Sequence, residues 1–215
     1  YAKQELGDEF DFKLFKFPKD LSKELKKKLP TILAFSNYIW NLELGYKIAC
    51  LAKQINPNII TVFGGPNFPT VKEEKFDFLK ERPAIDFYIE LEGEIGFVDL
   101  VNKLSENNFS TFDLKKKHTK ILNTSYIIDE TFIPGPIQRI KDINIIPSPY
   151  LTGAMDYFFD HPLVPLIETT RGCPFTCTFC ADGLPEKSKV IRRDFQRTKE
   201  ELTYIAKRIK NNNEL

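Results

Sequence analysis

The chain has 215 residues, of which 42% are hydrophobic and 28% charged, with a formal net charge of +1 at pH 7. That balance excludes a chain dominated by disorder, and the near-zero charge excludes a global pull toward nucleic acid or an acidic membrane surface. No apolar run reaches the roughly 18 residues that a bilayer span needs, and no secretory leader is visible, so the sequence reads as cytoplasmic.

The first residue is Tyr1, and the last helical pattern runs through residues 194–210 straight into Asn211-Asn212-Asn213. The sequence therefore reads as a piece cut at both ends. Residues 10–17 alternate apolar and polar, Phe10-Asp11-Phe12-Lys13-Leu14-Phe15-Lys16-Phe17, and predict a strand or an extended edge segment. A polar helix-like stretch follows, and residues 31–36 form a compact apolar run of strand type. Residues 41–55 place Leu42, Leu44, Ile48, Leu51, Ala52 and Ile55 at helical spacing, broken by Pro57 and Asn58. Residues 58–63 are rich in β-branched side chains and end in Gly64-Gly65-Pro66. Residues 71–80 predict a helix and residues 85–89 another apolar strand. Residues 94–104 predict a helix with Ile95, Phe97, Val98, Val101 and Leu104 inward.

Buried strands alternating with amphipathic helices predict an α/β fold, an open doubly wound parallel sheet with right-handed crossovers and helices on both faces. Ligands of such sheets sit beyond the carboxyl ends of the strands, where Gly64-Gly65 and Glu92-Gly93-Glu94 lie. Gly64-Gly65 also admits a plainer reading, a tight strand-to-helix turn. Residues 108–149 change character: Pro134, Pro136, Pro147 and Pro149 and a two-strand pattern in residues 120–133 predict a connector with a small hairpin. Residues 151–159 suggest a short helix, and residues 163–170 a strand leading into a cysteine cluster. The last helix carries Leu202, Ile205, Ala206 and Ile209 on one face, a stripe that predicts poor solubility for the isolated chain. The expected organisation is an α/β domain over 1–107, a connector over 108–160 and a further domain begun at 161–215. The lysine runs Lys26-Lys27-Lys28 and Lys115-Lys116-Lys117 read as solvated faces, and Cys50 as a small buried hydrophobe.

Three of the four cysteines fall within eight residues, in Arg171-Gly172-Cys173-Pro174-Phe175-Thr176-Cys177-Thr178-Phe179-Cys180. Their clustering argues against a disulfide scaffold and for metal ligation. Three thiolates spaced by four and three can wrap one four-iron cube and leave its fourth iron open. Zinc is the competing metal, but a structural zinc site needs four protein ligands, and neither His118 nor His161 stands at a suitable spacing.

The cluster resembles the signature of the radical S-adenosylmethionine (SAM) superfamily, C-x3-C-x2-C with an aromatic residue, here Phe179, before the last cysteine. The resemblance implies an enzyme in which Cys173, Cys177 and Cys180 hold a 4Fe-4S cluster and SAM binds the open iron. An electron from the cluster would then cleave SAM to a 5′-deoxyadenosyl radical, the cofactor carrying the hard chemistry. Phe179 would pack near the adenine, or else serve as a core aromatic under the loop. A low-potential donor such as flavodoxin or ferredoxin would supply the electron.

Phe63-Gly64-Gly65-Pro66 and Glu92-Gly93-Glu94 ahead of a proline-bearing connector are similar to the cobalamin-binding class of that superfamily. This implies a flavodoxin-like domain in which Ser36, Gly64, Gly65, Pro66, Gly93 and Glu94 contact cobalamin, followed by the first strand-helix unit of a partial TIM barrel. Members of that class often transfer methyl groups. The sequence departs from the class in having no aspartate-x-histidine-x-x-glycine motif and only half of a serine-x-leucine element, as Ser36-Asn37-Tyr38. Two alternatives stay open: an α/β domain that docks substrate without cobalamin, and a non-catalytic metal-binding or electron-transfer module. By the same resemblance most of the barrel is absent, so this piece alone should not turn over. The substrate is not legible.

Overall fold

The computed structural model describes residues 1–209 and divides them into two compact units, Ala2–Arg139 and the chain from Ile140 onward. In the first unit five strands form one sheet in the order β1 (Ile32–Ser36), β2 (Ile60–Gly64), β3 (Phe87–Ile89), β4 (Thr124–Ile128), β5 (Thr131–Pro134). The first three pair in parallel, with Ser36 opposite Gly64 and Gly64 opposite Ile89, so their carboxyl ends share one edge. This is the expected α/β sheet with helices on both faces. Its strand order runs in one direction across β1, β2 and β3, and β4 and β5 then join antiparallel. The hairpin expected in a connector therefore belongs to the sheet, and the first unit extends to Arg139 rather than stopping at residue 107.

Alternation along the strands decides which helix covers which face. Ile60, Val62, Phe87 and Ile89 point to one side and pack with Leu100 and Leu104 of α5 (Gly93–Glu106) and Leu114 of α6 (Thr111–Lys116). Phe63 and Tyr88 point to the other and pack with Leu42 and Ala49 of α3 (Leu42–Ile55) and Leu79 of α4 (Lys72–Lys80). Burying each such side chain contributes roughly 1.5–3 kcal/mol.

The helices exist where the periodicity put them, but in two of them the inward face is only partly the expected one. In α5, Phe97, Val101 and Leu104 face the core as expected. Helix α3 turns Leu42, Gly45, Ala49 and Ala52 inward and leaves Leu44, Leu51 and Ile55 exposed. Helix α5 buries Gly96, Leu100, Val101 and Leu104, while Ile95, Phe97 and Val98 are half-buried. In both the small residues set the phase, because they let the helix axis approach the sheet. A Cβ at Gly96 would lie 2.7 Å from the Ile89 side chain. Residues 10–17, expected as a strand or an extended edge segment, pair with no strand; Phe10 meets the Phe109 ring edge-on at 6.1 Å, and Leu14 and Phe15 stay exposed. Two short helices, α1 (Ala2–Leu6) and α2 (Pro18–Lys27), flank that segment, and α2 packs Leu21 and Leu25 against Leu33, Ala52 and Ile59.

At the amino end of β3, Asp86 accepts from the Thr61 amide (2.8 Å) and from Lys53 of α3 (2.7 Å), with Lys115 of α6 at 3.9 Å. Lys115 was expected on a solvated face. Its side chain is only 14% exposed and lies over the rings of Phe87 and Tyr126. Burial holds the Lys115 ammonium below the ordinary lysine range, against the opposing pull of Asp86. With the folded value below the unfolded one, the unfolded chain binds more protons in the window between them, so stability rises as pH climbs toward 10.5. Lys115→Met should therefore hold or raise stability by about 1 kcal/mol at neutral pH, since Asp86 keeps Lys53 and Thr61 as partners. It should also flatten the rise on the alkaline side. Urea unfolding of wild type and variant at a series of pH values checks both.

In the second unit β6 (Thr170–Arg171) pairs antiparallel with β7 (Ile191–Arg192), and α7 (Phe195–Arg208) follows. The strand expected over 163–170 is paired only at its end; Val164 and Leu166 are exposed. The Tyr150 hydroxyl takes the place of a neighbouring strand, donating to the Leu166 carbonyl (2.8 Å) and accepting from the Leu166 amide (3.0 Å). The short helix expected over 151–159 is a 3-10 turn, Asp156–Asp160. Helix α7 buries Glu201 and Ile205 and leaves Leu202 and Ala206 outward, so the expected apolar stripe is divided. The end of that helical pattern at Lys210 and the Asn211-Asn212-Asn213 run lie outside the described residues. Among the described residues no helix is long and apolar enough to cross a membrane.

Candidate cofactor sites

The first candidate site is built at the carboxyl ends of β1, β2 and β3. Ser36 closes β1 and is exposed; its carbonyl accepts from the Asn41 side chain (3.0 Å), whose own carbonyl oxygen accepts from the Tyr38 amide (2.7 Å). That pair of bonds folds the loop into the first turn of α3. A Cβ at Gly64 would lie 3.2 Å from the Ile89 carbonyl. Gly65 has φ +129°, and a Cβ there would meet the Asn37 carbonyl at 2.6 Å, so only glycine fits. Pro66 leads the chain away.

Behind this edge sits a polar network that the sequence reading did not single out. Asn37 is fully buried; its amide nitrogen donates to the Asn67 carbonyl (2.7 Å) and to the Tyr88 hydroxyl (2.9 Å). The Tyr88 hydroxyl donates to the Gly65 carbonyl (3.0 Å), and the Asn37 amide N–H to the Gly64 carbonyl (2.6 Å). Burial pushes the Tyr88 phenol well above its ordinary range, so it stays protonated and remains a donor. In front of the edge, Tyr38, Ile39 and Trp40 project from the β1–α3 loop. The Tyr38 and Trp40 rings stack at 4.7 Å, and Trp40 is 77% exposed. Three large apolar residues in a row within a loop were the available signal, since core packing does not account for them.

Gly93 and Glu94 open α5 at the end of β3, after Leu91 in a left-handed conformation. Glu92 is buried against Arg139, and its carbonyl accepts from Asn123 (3.3 Å), so it serves the fold. Nothing lies within 4 Å of a Cβ built on Gly93, which leaves room there for another group. The topology thus brings Ser36, Gly64, Gly65, Pro66, Gly93 and Glu94 to one sheet edge. Glycine backbone beside an exposed ring-stacking surface fits the flat face of a large macrocycle.

The second candidate site is the cysteine loop. Gly172 has φ +100°, and a Cβ there would lie 2.4 Å from the Lys189 carbonyl; the Cys173 amide donates to the Lys187 carbonyl (2.9 Å). The loop then turns back, with the Cys180 amide donating to the Cys177 carbonyl (3.2 Å) and the Gly183 amide to the Cys180 carbonyl (3.0 Å). Cys177 and Cys180 are exposed and Cys173 is half-buried. The loop places the three thiols on one surface segment without gathering them: among the described residues, no three His, Cys, Asp or Glu side chains form a metal-holding group. The donor set, three soft thiols without a histidine, suits iron-sulfur. Phe179 is 92% exposed, so it is not a core aromatic. The strand that delivers the loop is braced by Glu168, which forms a two-pronged pair with Arg171 (2.8 Å each) and lies 3.6 Å from Arg193. Arg171 chiefly holds the Glu168 carboxyl below its ordinary range.

Residues 5–101 match the model of the B12 binding domain family. The 2-(S-pantetheinyl)-carbapenam-3-carboxylate methyltransferase of Streptantibioticus cattleyicolor is 32% identical over 185 residues, 82% of this chain and 26% of that protein. The cobalamin-dependent radical SAM methyltransferase TokK of Streptomyces tokunonensis is 30% identical over 186 residues, 83% of this chain and 26% of its own length. The chain thus matches the B12 binding domain family across the sheet edge and is similar to these two methyltransferases over most of its own length. In fold it is similar to the apo cobalamin-dependent SAM radical enzyme OxsB, with a TM-score of 0.60 at 20% identity over 88% of this chain and 25% of that one. The chain spans about a quarter of the length of each of these proteins.

Proposed function

We propose that the protein is a radical SAM enzyme that uses cobalamin to transfer a methyl group. Cys173, Cys177 and Cys180 would hold a 4Fe-4S cluster, and Ser36, Gly64, Gly65, Pro66, Gly93 and Glu94 would hold the corrinoid. The cluster, when bound, supplies one-electron reduction of SAM, and cobalamin supplies a carrier for the methyl group. The chain's own part is positioning. Gly64 and Gly65 let the strand ends approach one another, since a Cβ on Gly64 would meet the Ile89 carbonyl and one on Gly65 the Asn37 carbonyl. The turn's other side would be left to the corrinoid. Tyr38 and Trp40 offer an apolar face, and the turn at Cys177–Gly183 presents the thiols to solvent-borne metal. Phe179, exposed between two of the cysteines, would cover an adenine ring.

The observation that carries this reading is the coincidence, in one chain, of a B12-type sheet edge with a three-cysteine loop. The test uses the full-length protein, reconstituted anaerobically with iron, sulfide and hydroxocobalamin. Corrin absorbance should travel with protein through gel filtration, and SAM with a reductant should yield 5′-deoxyadenosine. Complete loss of corrin colour with 5′-deoxyadenosine still formed would replace the cobalamin reading by an α/β domain that docks substrate. A cluster indifferent to added SAM would end the enzyme reading.

A further inference from the structure

Tyr88 and Asn37 raise a question that core packing does not answer. Both are fully buried, on a sheet face already filled by Phe63 and its neighbours, where phenylalanine and an aliphatic residue would pack without polar atoms to satisfy. The Tyr88 ring stacks on Phe68 at 3.8 Å and meets Phe78 edge-on at 5.9 Å, contacts that a phenylalanine would keep. What the hydroxyl adds is its bond to Gly65, and what Asn37 adds is a bond to that hydroxyl and one to Asn67. Asn67 returns a bond from its side chain to the Asn37 side-chain oxygen (3.3 Å). The network spans residues 64–67, closing over both ends of the glycine turn, and has no counterpart need in the core.

We propose, resting on the cobalamin reading above, that Tyr88, Asn37 and Asn67 are positioning residues for the corrinoid. They fix the Gly64–Gly65 turn in its binding geometry before the ligand arrives. Glycine has the widest conformational choice of any residue, so a Gly-Gly turn without such restraint would lose entropy on binding. The buried network removes that freedom in advance and leaves the glycine surface free for the ligand.

The test measures hydroxocobalamin affinity by absorbance titration of the full-length protein and of Tyr88→Phe, Asn37→Ala and the double variant. Each is checked by circular dichroism and worked well below its melting temperature. Tyr88→Phe should weaken binding about tenfold and Asn37→Ala somewhat more. The double variant should be no weaker than Asn37→Ala alone, because both act through one turn. Thr61→Val, which removes a buried hydroxyl donating to the Ala84 carbonyl (2.5 Å) at the opposite end of the sheet, is the stability control. It should lose stability and keep affinity. If Asn37→Ala fails to fold, Asn67→Ala replaces it. Undiminished affinity in Tyr88→Phe, or an equal loss in Thr61→Val, overturns the positioning role while leaving cobalamin binding intact. No corrin on the wild type overturns the cobalamin reading and the proposal with it.

Discussion

Cys177→Ala in the full-length protein is expected to bring iron and sulfide to background after anaerobic reconstitution, to erase the broad absorbance near 400 nm and to stop 5′-deoxyadenosine formation. On the proposed assignment the Cys177 thiolate would be the ligand, and a methyl group supplies no electron pair to iron. Cys177 is exposed, and the contacts that shape its turn are made by its backbone, through the Cys180 amide and the close approach of Gly183. The variant therefore keeps the fold, and circular dichroism and corrin absorbance should match wild type. That separation makes the result informative, because a general unfolding would remove both cofactors together. Retained iron with continued SAM cleavage would contradict the assignment of the three cysteines.

The sheet was legible because strands β1, β2 and β3 are short apolar runs bounded by Gly, Pro and Asn, a pattern that leaves little choice. The same reading placed β4 and β5 outside the sheet, since prolines around a hairpin signal a connector just as well as an edge. The pairing of Tyr88 with Ser125 and of Ile89 with Thr124 settles which it is. The inward faces of α3 and α5 were only partly legible, for one reason. Hydrophobic periodicity ranks leucine and isoleucine above glycine and alanine, whereas close helix-sheet approach selects the small residues. The sites divided in the same way. Cysteines and glycines announce themselves by spacing, but Asn37 and Tyr88 matter through partners 30 and 51 residues away in sequence, which no local pattern records.

Arg193→Ala should produce a comparably large effect by another route. The Arg193 side chain is 6% exposed, and its guanidinium donates to the carbonyls of Ile143 (2.9 Å), Ile146 (3.4 Å) and Glu168 (3.2 Å). It joins the 3-10 turn Ile143–Ile145, the strand that delivers the cysteines and the approach to α7, three segments that share little regular hydrogen bonding. Truncation removes three charge-assisted hydrogen bonds and the packing of a buried side chain, at about 3 kcal/mol for the unit from Ile140 onward. The Ile146 carbonyl keeps Arg197 as a donor, and the Ile143 carbonyl keeps the Ile146 amide. Arg193→Lys keeps the charge without the planar fork and should recover less than half of that loss. The first unit has its own core in Ile60, Val62, Phe87 and Leu100 and none of these bonds. Thermal unfolding should accordingly resolve an early transition that takes the cluster with it, while bound corrin persists to the later one. A single transition with unchanged melting temperature and full iron content would show that the cysteine strand is held by something other than this guanidinium.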